Sequence, residues 1–181
     1  HTRPRGMAEY QAGKDLFRKT AEGKAYLEKH LGTNITTFVP PNNTMGREGM
    51  LAVHRARLNL VGTCSSYRYY SRMFVLRYLP SFLRLKYYNS LSPFNAPRVL
   101  DFGAHKEVSF YSLTPSQSFD VLEKGLEFCA GKKGVFVLAT HYHEQEKRMR
   151  SGQKISEALR RLVRTAAGLD GTVFCRYADV W

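Results

Sequence analysis

The chain has 181 residues, enough for one domain with a sizeable core, and its 28 Lys and Arg against 15 Asp and Glu give a net charge of +13. That excess favours anionic partners, whether nucleic acid, an acidic glycan or an anionic surface, and says who approaches rather than what is done to them. No stretch approaches the ~20 apolar residues of a membrane span, and Cys64, Cys129 and Cys175 include no close pair, which excludes a zinc knuckle or a thioredoxin-type motif.

In chain order, His1 to Gly6 reads as a loop by its proline and glycine, followed by a helix from about Ala8 to Leu31. Leu16, Thr20, Leu27 and Leu31 fall at helical spacing in it, and Gly32 is placed to end it. The β-branched and aromatic run from Asn34 to Val39 predicts a strand, stopped by Pro40-Pro41. Asn42 to Gly46 is then a loop at a strand's C-terminal end, leading into a helix from about Glu48 to Leu60 with Met50, Val53 and Arg57 on one side.

Residues 65–95 break the rhythm and read as an insertion within a single domain spanning 1–181. Between Ser65 and Tyr88, arginines and lysines alternate with tyrosines and phenylalanines, interrupted by Pro80. Such interleaving suits stacking on bases or sugars, contact with an anionic surface, or a helix whose aromatics pack inward while its arginines are solvated.

A strand-like run follows at Arg98 to Phe102. Thr114 then predicts a cap, Pro115 a first helical position, and Leu122, Leu126 and Cys129 an apolar stripe closed by Gly131. Val135 to Thr140 is an unbroken apolar run, predicted as a strand buried on both faces. A last unit runs from a cap at Ser151 through Ile155, Leu159, Leu162, Ala166 and Leu169 to a strand at Thr172 to Tyr177. Helix and strand in alternation predict an α/β fold with parallel strands.

Parallel strands deliver chemistry at their C-terminal ends, and the Val135 run ends in Thr140-His141-Tyr142-His143-Glu144. If extended backbone continues through Tyr142, both imidazoles point to one side, suited to a metal pair or an acid/base pair. The bland alternative is one structural and one solvated histidine.

The strand end Phe38-Val39-Pro40-Pro41-Asn42-Asn43, the run Val137-Leu138-Ala139-Thr140-His141, and His1 followed by Glu9-Tyr10 and a helix together resemble the later motifs of the polysaccharide deacetylase (NodB homology) superfamily. The branch with a Phe-x-Pro-Pro motif is the nearer likeness. The resemblance implies a partial, deformed (β/α) barrel and a metal-dependent hydrolase that removes acetyl groups from N-acetylated sugars, usually with zinc as the divalent metal. By motif position it makes His1 a metal ligand, His141 the catalytic proton donor and the backbone N–H of Asn42 the oxyanion donor. Pro41, Asn43, His143 and Glu144 are then expected to line the substrate groove. The same likeness favours the cell envelope or the extracellular space.

Such residues answer a chemical need. An amide is a poor electrophile, so its carbonyl must be polarised, a water activated and the departing amine protonated. The resemblance also implies that the remaining metal ligands and the base aspartate precede His1, so that this stretch is a C-terminal portion and inactive alone. Two motif positions depart from the family: Val39 stands where many members have arginine, and no Asp-x-x-Asp-Trp motif supports His141. Asp101, or Glu107 after His105, is a candidate substitute, against the plainer expectation of a solvated carboxylate. The competing reading from another class is a non-catalytic basic module that grips nucleic acid or an acidic glycan.

Overall fold

The computed structural model describes residues 15–41, 45–62 and 75–181. His1, Asn42, Asn43 and the segment from 63 to 74, which includes much of the arginine and tyrosine alternation, lie outside the described residues.

The predicted α/β architecture with parallel strands is present. Helix α1, Leu16–Leu31, buries Leu16 and Thr20. The Thr20 hydroxyl donates back to Leu16 O at 2.7 Å, so a polar residue sits on the inner face at little cost. Leu27 and Leu31, expected on the same stripe, are exposed. Gly32 ends it as predicted, with φ of 62° and its N–H on Glu28 O.

Strand β1 is short, Thr37–Phe38, and helix α2 spans Arg47–Arg55. Met50 and Val53 face inward as expected, at 4% and 0% exposure. The helix stops earlier than predicted because Arg57 takes a left-handed turn, with φ of 55°, and the chain enters strand β2, Asn59–Val61. Arg57 therefore does not share a helix face with Val53.

Helix α3, Val75–Ser90, passes through Pro80 instead of being interrupted by it. As the sixth residue of the helix, Pro80 forfeits one bond of the helical ladder, and tertiary contacts hold the helix through it. Leu85 is fully buried with Ala96, Leu100 and Phe102, and Ser81 Oγ donates to Asp101 O at 2.6 Å.

Strands β3, Leu100–Asp101, β4, Lys106–Val108, and β5, Tyr111–Leu113, follow, then helix α4, Phe119–Gly131. The N-cap of α4 is Ser118, not Thr114, because Gln117 N–H closes a turn onto Thr114 O first. Leu122, Leu126 and Cys129 are buried as predicted. Strand β6 is Leu138–Thr140. Helix α5, Ile155–Gly168, starts at Lys154 rather than Ser151, and its N-cap N–H is held by the Glu157 carboxylate at 3.2 Å.

One four-stranded sheet has the order β1-β2-β4-β3, with β1, β2 and β4 parallel and β3 antiparallel; β5 and β6 form a second, parallel pair. Only Ser109 and Phe110 separate β4 from β5, and Val61, Val108 and Val137 share one core cluster across the two sheets. The larger core packs α4 and α5 on β5, with Leu113, Leu122 and Ile155 at 0% exposure. Each such side chain contributes roughly 1.5–3 kcal/mol when withdrawn from water.

The expected strand at Thr172 to Tyr177 does not form. Its first part is irregular, Val173 and Phe174 are exposed, and Tyr177–Val180 is a short helix, α6. The end of the chain is spent elsewhere: Trp181 reaches the start of β1, where its indole N–H donates to Thr37 Oγ1 at 2.8 Å.

Candidate functional site

The strand starts are closed off by their own bonds. Lys106 N–H donates to Asn59 Oδ1 at 2.9 Å, Lys106 Nζ reaches Trp181 O at 2.7 Å, and Trp181 holds Thr37. Three strands are thus tied together at their first residues, leaving the C-terminal ends as the place where side chains can be presented.

At the end of β1, Val39 is 57% exposed, Pro40 is buried and Pro41 half-buried. Asn42 and Asn43, the expected oxyanion donor and groove residue, lie outside the described residues, as does His1.

The end of β6 is described in full. Its three residues are half-buried, and its neighbour is β5, so it is not the doubly buried strand predicted; Val137, just before it, is the buried member at 7%. Extended backbone stops at His141, with φ −103° and ψ 131°, and Tyr142–Glu144 turns into a single 3-10 turn. The strand alternation expected to align the two imidazoles is therefore absent. They meet all the same: the His141 and His143 rings stack with centroids 5.3 Å apart and planes 30° from parallel, and both residues are exposed.

Gln145 holds this turn in place. Its side-chain N–H donates to Thr140 Oγ1 at 3.2 Å, and its backbone carbonyl accepts from Ser156 N–H at 3.0 Å in the first turn of α5. Glu144 lies under the turn, its Oε1 accepting from Lys147 Nζ at 3.2 Å while Oε2 is buried with no hydrogen-bond partner. Tyr142 projects outward at 94% exposure. The arrangement presents one or two imidazoles to solvent on a braced strand end, which suits proton transfer to a bound molecule.

These donors do not make a metal centre by themselves. Among the described residues, no three of His, Cys, Asp and Glu converge as a metal site. His141, His143 and Glu144 lie in one turn, yet Glu144 is directed beneath it.

The expected substitutes for a supporting carboxylate have other commitments. Asp101 Oδ1 accepts from Gly103 N–H at 2.6 Å and shapes the β3–β4 turn. Glu107 is not solvated; it is fully buried, and His105 Nε2 donates to its Oε1 at 2.8 Å, both side chains at 0% exposure. Phe102 stacks on the His105 ring at 5.6 Å. The signal for this pair is His-x-Glu on a strand, which puts both side chains on one face.

No family model, curated protein or solved structure matches this chain. Among the described residues, no helix is long and apolar enough to cross a membrane.

Proposed function

We propose that this chain is part of a carbohydrate N-deacetylase of the polysaccharide deacetylase type, with His141 as the proton donor to the departing amine. The observation that carries the reading is the exposed His141 imidazole, one residue beyond a parallel strand and held by the Gln145 brace. The two-residue link between β4 and β5 and the shared Val61, Val108 and Val137 cluster support a further part of it, in which both sheets belong to one open, deformed barrel.

In this reading Pro41, Asn43 and His143 line the groove, the Asn42 N–H stabilises the oxyanion, and Glu144 orients the His141 turn from beneath. A divalent metal, zinc in most of the family, would supply water activation and carbonyl polarisation, with His1 among its ligands and the others from outside the described residues. The described residues contribute the acid side of the reaction. Protonating the amine as the C–N bond breaks avoids expelling an amide anion, a contribution of about 10²–10⁴ in rate.

The test is acetate release from N-acetylglucosamine and N-acetylgalactosamine oligomers by the native-length protein, before and after treatment with a chelator. Release that stops on chelation and returns with Zn²⁺ is expected. No acetate from either oligomer, with metal supplied, rejects the reading.

A further inference from the structure

Helix α5 buries Ile155, Ala158, Leu162 and Ala166 on one side. Its outer side, with Gln153 just before it, carries a shallow, open groove of about 400 Å³ lined by Gln153, Glu157, Arg160, Arg161, Arg164 and Thr165, all from this one stretch of chain. Three guanidinium groups thus stand against one carboxylate. That carboxylate is already used, since Glu157 Oε2 accepts from the Lys154 N–H at the helix start.

The arginines are not equivalent. Arg161 is fixed: its NH2 reaches both Glu123 oxygens, at 3.1 and 3.3 Å, and its guanidinium lies 4.3 Å over the Phe119 ring. Arg160 and Arg164 are exposed, and neither forms an ion pair among the described residues. One turn apart, with a rise of ~6 Å between them, they project from a helix whose inner face is locked into the core. Arg160 also feels the exposed Glu146 carboxylate, which Lys154 Nζ binds at 2.7 Å, while Arg164 stands one turn further along the helix.

We propose that this groove is an exosite for a carboxylate-bearing polysaccharide, with Arg160 and Arg164 pairing with uronate groups and Gln153 and Thr165 contacting sugar hydroxyls. Guanidinium groups match carboxylates two bonds at a time, which lysines do not. The alternative polyanion, single-stranded nucleic acid, is held by aromatic platforms beneath its bases. None of the groove residues is aromatic, and Phe119 is covered by Arg161. The proposal stands apart from the His141 chemistry and concerns where a polymer is held.

The probe is a fluorescently labelled oligogalacturonide titrated with the full chain, read as anisotropy. The Arg160→Gln, Arg164→Gln double variant should lose at least about tenfold in affinity, and log K should fall less steeply with log salt, by roughly two in slope. Lys19→Gln, Lys29→Gln on α1 removes the same charge from a different face and should cost less than about threefold. His141→Ala should leave the titration unchanged, so that failure here and failure of the deacetylase reading are separable. Circular dichroism confirms that each variant is folded. Equal losses in the two charge pairs, no binding by the unaltered chain, or tighter binding of oligothymidylate through the same arginines would each overturn the proposal.

Discussion

Trp181 donates its indole N–H to Thr37 Oγ1 at 2.8 Å, joining the last residue of the chain to the first strand across 144 positions. Its ring packs against the cluster of Val61, Val108 and Val137. Trp181 thus acts as a clasp on the strand starts, and it explains how an irregular, exposed segment after Gly171 is anchored beyond its exposed residues.

Removing that clasp should show in stability. Trp181→Phe keeps most of the packing and loses the hydrogen bond, at a cost of about 1 kcal/mol. Trp181→Ala also loses the packing and should cost about 3 kcal/mol, at the low end for a large-to-small change because the ring is only half-buried. Urea midpoints measure both.

A second prediction concerns Gly125 on α4. A Cβ there would lie 2.5 Å from Tyr111 Cε1 and 2.7 Å from Cζ, because the tyrosine ring lies directly on the helix backbone. Gly125→Ala should destabilise by about 1–3 kcal/mol, despite the better helix propensity of alanine. In a Tyr111→Leu background the same change should cost less than half as much, which a double-mutant cycle in urea would show.

Alkaline pH should weaken the same region. Burial, followed by the nearby Cys129 thiol, pushes the Tyr111 hydroxyl up to about 12, and burial pushes the Cys129 thiol up to about 11. Both groups hold their protons more tightly folded than unfolded, so their contribution is complete below about pH 9. As the pH rises above that, the unfolded chain deprotonates first and stability falls, through about pH 12, by a few kcal/mol in total. Tyr111→Phe should flatten the part of the decline above about pH 10, measured by denaturation between about pH 8 and 12.

The buried His105–Glu107 pair yields a fourth. Glu107→Leu alone removes the carboxylate facing a fully buried imidazole, a cost of about 3–5 kcal/mol. His105→Phe with Glu107→Leu should cost less than the single change. Thermal midpoints of the two variants decide it, and a double variant less stable than Glu107→Leu would assign the pair a different role.

The large apolar stripes were legible in the sequence. Leu122, Leu126 and Cys129 on α4, and Ile155, Leu162 and Ala166 on α5, form the main core, because a 3.6-residue period survives whatever surrounds it. Short strands were not: β2, β4 and β5 have three residues each, too few for alternation to register, and β2 hides behind a left-handed Arg57 that no glycine announces. At the site, the end of β6 was legible as a polar terminus on an apolar run. Its ring stacking was not, since a 3-10 turn rather than strand geometry brings His141 to His143. The His105–Glu107 pair was not read from the sequence, which offered Glu107 as a support for His141 or a solvated carboxylate; its burial depends on Phe102 and the β3–β4 turn, which only the folded chain supplies.

The most direct test of His141 as proton donor compares acetate release from an N-acetylglucosamine oligomer by the native-length protein and its His141→Ala and His143→Ala forms. His141→Ala should lower kcat at least about 100-fold with KM within threefold, and His143→Ala less than tenfold. A His141→Ala protein that retained the unaltered kcat, or lost no more than the His143→Ala protein, would contradict the assignment.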